Sequence, residues 1–130
     1  MIHRGDVMKN KVIDYVTPTE ACIIIGISPK STPQITRWIN EGRIKGIKQF
    51  GKNKAIPVSW VKSECNERGI NWEGVELGDD ETPVSLDDYI SIKEYCIKNN
   101  LNYIRFNNKI SRGYFDGDFI RFANTYGLPK

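Results

Sequence analysis

The chain has 130 residues, 39% of them hydrophobic and 27% charged, with a formal net charge of +3. No run approaches the roughly 18 apolar residues of a membrane span, and the opening MIHRGDVMKNK holds no apolar stretch of signal-peptide length. These features argue against a membrane or secreted protein, and a cytoplasmic location is expected.

Charge is unevenly placed. Residues 1–70 hold twelve Lys/Arg and six Asp/Glu, residues 71–90 hold seven acids and no base, and residues 91–130 hold seven bases and three acids. Two basic lobes therefore flank an acidic connector. Chance clustering on a solvated surface competes with two polyanion-facing units joined by a segment that avoids the polyanion. The cysteines, Cys22, Cys65 and Cys96, are odd in number and lack CxxC spacing, so they read as reduced and structural.

Two stretches read as copies of one another: Tyr15 to Pro57 and Tyr89 to Pro129. Each opens with an aromatic and a β-branched residue, then Ser or Thr three residues before Glu. Each continues through two helical stretches to a Gly and a hairpin-like run ending in Pro.

In the first copy, Thr17-Pro18-Thr19-Glu20 carries the marks of a helix start: a capping Thr, Pro at the first helical position, and the Glu of a capping box. Ala21, Ile24 and Ile25 give the inward face, and Gly26 suits a left-handed helix end. Ser28-Pro29-Lys30-Ser31 turns the chain, and Thr32-Pro33 is expected to start a second helix in the same way. Ile35, Trp38 and Ile39 form its buried stripe. Gln34, Thr36, Arg37, Asn40 and Glu41 fall outside the stripe, and Gly42 ends the helix. From Arg43 to Pro57 apolar residues alternate with basic ones, which predicts a hairpin with a basic tip near Gly51–Asn53. Val58 to Arg68 is predicted as a third helix. Gln34 and Asn40 are able to bond base edges, and Arg37 a phosphate or a guanine. Short hydroxyls at a helix start suit a phosphate. For each such residue the competing reading is plain helix surface.

The run TPTEACIIIGIS, a short turn, QITRWINEGRIKGIKQFGKNKAIP and a closing helix, spanning Tyr15 to Arg68, resembles the excisionase-like and MerR-like winged helix-turn-helix family. The resemblance implies that the second helix enters the major groove and that the hairpin, the wing, touches the backbone or the minor groove. It places Lys30, Ser31, Thr32, Gln34 and Thr36 at base edges, Arg37 at a phosphate, and Lys52 and Lys54 at the wing tip. Arg43, Lys48 and Asn53 complete the candidate DNA contacts of this copy.

The second copy departs in detail. Ser91-Ile92-Lys93-Glu94 is again a capping-box pattern, Tyr95, Cys96 and Leu101 are expected inward, and the second helix runs from Asn102 or Tyr103 to Gly113. Phe106 aligns with Ile35, Ile110 with Ile39, and Lys109 with Trp38. The buried stripe is thus thinner, and Tyr103, Phe106, Tyr114 and Phe115 are expected to compensate. Arg105, Asn107, Asn108, Lys109 and Arg112 face outward and are candidate DNA contacts. Asn suits adenine and Arg suits guanine. The second wing, Asp116 to Gly127, has two acids at its start and Arg121 as its only base, which makes a poorer backbone clamp. This copy stops where the first begins its third helix, and it is expected to be truncated.

His3 reads as a bystander. Asp79-Asp80-Glu81 reads as acidic linker. No phosphate-binding glycine loop, metal-ligand spacing or catalytic constellation is found, so no enzyme, cofactor or metal is expected. The expectation is an α+β chain with an N-terminal arm (1–14), a winged helix-turn-helix unit (15–69), an acidic linker (70–84) and a second, truncated unit (85–130). The expected function is sequence-specific binding of double-stranded DNA, as an excisionase-like or transcription-regulatory factor of a phage, plasmid or other mobile element. Its partners would be DNA, itself, or a recombinase or other DNA-complex protein. The rivals are a DNA-recognition subunit for phage packaging or plasmid transfer, and a protein-interaction adaptor working through the second unit.

Overall fold

The structure, a computed structural model, describes residues 10–130; His3 and the beginning of the expected N-terminal arm lie outside the described residues. In chain order the elements are β1 (Asn10–Val12), β2 (Tyr15–Val16), α1 (Pro18–Ile24), a 3-10 turn (Pro29–Ser31), α2 (Thr32–Asn40), β3 (Lys48–Phe50), β4 (Asn53–Pro57), α3 (Val58–Glu67), β5 (Thr82–Val84), a 3-10 turn (Leu86–Asp88), β6 (Tyr89–Ser91), α4 (Ile92–Lys98), α5 (Tyr103–Ser111), β7 (Ile120–Phe122) and β8 (Thr125–Pro129). The chain is α+β. It forms two compact units, Ile13–Glu76 and Leu77–Lys130, the second of which also takes in β1.

In the first unit α1 begins with both bonds of a capping box. The Glu20 N–H donates to Thr17 Oγ1 (3.1 Å), and the Thr17 N–H donates to Glu20 Oε1 (2.9 Å). The start of α2 differs from expectation. Thr32 lies inside the helix, Ser31 holds the cap position without a side-chain cap bond, and the Thr32 carbonyl accepts from the Thr36 hydroxyl at 3.3 Å. The 3-10 turn runs straight into the helix, so no extended residue is left for Thr32 to cap from. Gly42 ends α2 at φ +78°. Its N–H bonds to the Ile39 carbonyl (3.0 Å) and the Arg43 N–H to the Trp38 carbonyl (2.9 Å), a Schellman end that needs a left-handed residue.

The sheet has the order β2-β4-β3, with Tyr15 opposite Pro57, Val16 opposite Ile56 and Phe50 opposite Asn53. Val16, Ala21, Cys22, Ile25, Ile35, Trp38, Ile44, Ile56, Val61 and Cys65 form the core. The hairpin strands are shorter than the alternation predicts. Ile44 turns into the core and Gly46 takes φ +81°, which breaks the extended run, so pairing begins only at Lys48. The expected linker 70–84 is also divided. Ile70, Trp72 and Val75 pack against this core, whereas the chain from Leu77 onward belongs to the second unit. Apolar side chains scattered among acids fix both halves.

The second unit repeats the order of elements: two helices, then a hairpin, with strands ordered β6-β8-β7 and Tyr89 opposite Pro129. Ser91 Oγ accepts from the Glu94 N–H (3.3 Å) and Asn102 Oδ1 from the Arg105 N–H (3.0 Å), which caps α4 and α5. A run of ring contacts stands in for the first unit's Trp38: Tyr95–Phe106 (5.5 Å), Phe106–Phe115 (5.2 Å), Phe115–Phe119 (6.0 Å) and Phe119–Tyr126 (5.8 Å between centroids). Of the residues expected to fill this core, Phe106 and Phe115 do so, but Leu101, Tyr103 and Tyr114 are exposed. Leu101 follows the left-handed Asn100 in the turn between helices, and Tyr103 opens α5 beside it, so neither reaches the stripe that Phe106 and Ile110 occupy. The second hairpin is shorter than Asp116–Gly127, and its strands begin at Ile120.

Asn10–Val12, expected in the N-terminal arm, forms a strand of this unit. It pairs in parallel with β5, Asn10 opposite Thr82 and Val12 opposite Val84. Asn10 Nδ2 donates to Asp118 Oδ1 (2.7 Å), and the Tyr89 hydroxyl donates to Asp118 Oδ2 (2.9 Å). Burial, reinforced by the Asp118 carboxylate, pushes the Tyr89 phenol from 10.0 up to about 12. Because the folded value lies above the unfolded one, the stabilisation is complete below pH 10 and is lost as pH rises toward 12. Denaturant unfolding of the wild type should therefore lose about 2 kcal/mol between those pH values relative to Tyr89→Phe. Parallel curves for the two proteins would show that the folded surroundings do not raise the Tyr89 phenol.

Candidate nucleic-acid interface

On α2, Gln34, Arg37 and Asn40 are exposed; Arg37 and Asn40 lie on the side away from Ile35 and Trp38, and Gln34 stands at the flank of that stripe, one turn before Trp38. Thr36 is exposed at the edge of that stripe, and its hydroxyl is turned back to the Thr32 carbonyl. Ser31 and Thr32 are half-buried at the helix start. Lys30 is exposed in the 3-10 turn, where its N–H donates to Ser28 Oγ (3.2 Å).

The hairpin residues behave differently from one another. Lys52 is exposed at the two-residue tip between β3 and β4. Lys54 is half-buried, and its Nζ donates to Gln49 Oε1 (3.1 Å), while Gln49 Nε2 donates to the Gly51 carbonyl (2.9 Å). Gln49 thus ties the Lys54 ammonium to the hairpin face, a role its place among alternating residues does not reveal. Lys48 and Asn53 are half-buried. Arg43 is exposed, but its guanidinium lies 4.7 Å from the centroid of the Trp38 ring, which holds the charge beside the end of α2. The structure therefore gathers Gln34, Arg37 and Asn40 into one stripe and sets Lys52 apart at the tip.

In the second unit Arg105, Asn108 and Arg112 are exposed on the side of α5 away from Phe106 and Ile110. Lys109 is exposed at the flank of that stripe, and Asn107 is half-buried toward the core side. Neither α2 nor α5 contains an acid, but Glu41, exposed, caps the end of α2 where Arg112 caps α5. The order of polar groups is reversed between the two helices, Gln34 then Arg37 in α2 and Arg105 then Asn108 in α5. The second hairpin turns through Ala123 and Asn124, at φ +52° and +63°, with no base at the tip. Arg121 lies 5.9 Å from the Tyr126 ring centroid.

Elsewhere in the first unit Val16, Glu20, Ile24, Trp72, Glu73 and Glu76 line an open depression, whose carboxylates disfavour a polyanion. Cys22, Cys65 and Cys96 are buried free thiols, and burial pushes each above the usual thiol range. Among the described residues no group of three or more His, Cys, Asp or Glu side chains is placed to hold a metal ion, and no helix is long and apolar enough to cross a membrane. Compared with protein-family models, with known proteins and with solved structures, the chain matches none of them.

Proposed function

We propose that the chain binds duplex DNA sequence-specifically through two winged helix-turn-helix units in tandem, with no catalytic role. The observation that carries this reading is the pair of exposed helix faces that bear amide and guanidinium groups, with Glu41 at the end of α2 as their one acid. α2 offers Gln34, Arg37 and Asn40, and α5 offers Arg105, Asn108 and Arg112, each on a helix whose other side is packed into a core. Amide and guanidinium groups are the side chains that pair with adenine and guanine edges in the major groove. Lys52 at the first hairpin tip suits the neighbouring phosphates. The resemblance of Tyr15 to Arg68 to excisionase-like proteins supports a narrower role, a cytoplasmic factor of a mobile element acting with itself or a recombinase. DNA recognition for phage packaging or plasmid transfer would use the same faces.

A second reading, an adaptor that binds protein through the second unit, is favoured by one observation. The turn Ala123–Asn124 lacks a base, and Ile97 and Leu101 of the same unit are exposed. Affinity for duplex DNA that is unchanged in Arg105→Ala/Asn108→Ala would select it.

If the basic faces neutralise phosphates, log K for a duplex should fall linearly with log salt, with a slope near −0.9 per phosphate and roughly four to eight phosphates engaged. A titration between about 50 and 200 mM salt checks this, and an affinity indifferent to salt rejects the reading.

Helix and hairpin should separate by mutation. Gln34→Ala should relax preference at one or two base pairs by about 1–3 kcal/mol. Lys52→Ala should weaken all duplexes alike and shrink the salt slope by about one phosphate. Competition between a selected site and random DNA measures both, and identical behaviour of the two variants would show that α2 is not the reading element.

A further inference from the structure

Ile104 stands in the first turn of α5 and is 69% exposed. The fold uses Phe106 and Ile110 of the same helix and leaves Ile104 aside. Its neighbours on the outward side are Arg105 and, one turn on, Asn108, both exposed. At the matching position of α2 the chain has Pro33, the second residue of that helix. A branched aliphatic side chain thus sits on a helix face that is otherwise polar, basic and free of acids.

We propose that Ile104 reads thymine, by packing on the C5-methyl group of a base next to the one that Asn108 bonds. This rests on the duplex-binding reading above and names the sequence class that the second unit selects. The cations Arg105, Lys109 and Arg112 on an acid-free helix call for a polyanion as the occupant of this face. Among the major-groove edges of the four base pairs, the one apolar group is the thymine methyl. A β-branched residue in a helix holds one preferred χ1, so the Ile104 side chain is set in place before contact. Ile104 and Asn108 are separated by about 6 Å along the helix axis, less than two base-pair steps of about 3.4 Å. A thymine and an adenine therefore fall within reach of the two side chains together, and the second unit's half-site contains A·T pairs.

The test uses the full chain and the tightest duplex selected from a random pool. Each thymine is replaced singly by deoxyuridine, which removes the methyl group and leaves every hydrogen-bonding edge intact. At one or two positions the wild type should bind about three- to fivefold more weakly. Ile104→Ala should lose a similar factor on the parent duplex and show no further loss on the uracil duplex. Alanine is the better helix former, and equal melting temperatures of the two proteins would confirm that the loss is at the interface. Uracil duplexes that all bind the wild type as well as the parent does, or a uracil penalty that persists in Ile104→Ala, would overturn the assignment while leaving duplex binding intact. If no duplex is bound, or binding ignores salt, the duplex reading itself falls and this inference with it.

Discussion

Each unit depends on a short antiparallel pairing that closes its repeat. Tyr15 and Val16 lie opposite Pro57 and Ile56, and Tyr89 and Ile90 lie opposite Pro129 and Leu128. Without that pairing the helices and the hairpin would be consecutive local structures with no common frame. With it, the residue that precedes the capping Thr or Ser is bonded to the end of the hairpin, so the entry of the first helix and the return of the last strand are fixed together. The buried residues Val16 and Ile56, and Leu128 in the second unit, sit at these pairings and join them to the cores. The outward aim of α2 and α5 follows, because each helix has only one side able to bury its apolar stripe.

The two units solve the same packing problem with different material. The first uses aliphatic residues and Trp38, whose ring lies 6.1 Å from that of Trp60. The second replaces the tryptophan with Lys109 and fills the space from Tyr95, Phe106, Phe115, Phe119 and Tyr126. Its α5 surface thereby gains a cation where α2 has a buried ring. The hairpins diverge in the opposite direction, since Lys52 at the first tip is matched by Ala123 and Asn124 at the second. One unit thus spreads its positive charge between helix and hairpin, while the other concentrates it on the helix.

What was legible in the sequence was mostly local. Thr17 with Glu20 and the glycines at 42 and 113 mark helix ends through bonds to residues a few positions away, so the sequence carries their full cause. The outward placement of Gln34, Arg37, Asn40, Arg105, Asn108 and Arg112 follows from helical period alone. The reading failed where the cause is remote. Nothing near Asn10 indicates that it meets Thr82, and Ile70, Trp72 and Val75 were hidden among acids that dominate the composition of their segment. Thr32 is ambiguous in the sequence because a 3-10 turn and a cap use the same residue types. The bond that ties Lys54 to Gln49 depends on strand register, and Ile104 carries no polar group to mark it as a contact, although the period that exposes Arg105 and Asn108 exposes it too.

The parallel pairing of Asn10–Val12 with Thr82–Val84 has a consequence for the order of folding. Parallel neighbours require a long crossover, and here the crossover is the whole of Ile13–Glu76. During synthesis from the N-terminus, Asn10–Val12 leaves the ribosome first yet has no partner until residues near Thr82 emerge, whereas the intervening unit already has all of its own contacts. Domains fold as units during synthesis, so the inserted unit folds ahead of the one that contains the earlier strand. Its folding also replaces a long flexible loop by a compact body, which lowers the chain entropy still to be lost when the strand is finally captured. One lobe thereby acts as an internal folding aid for the other.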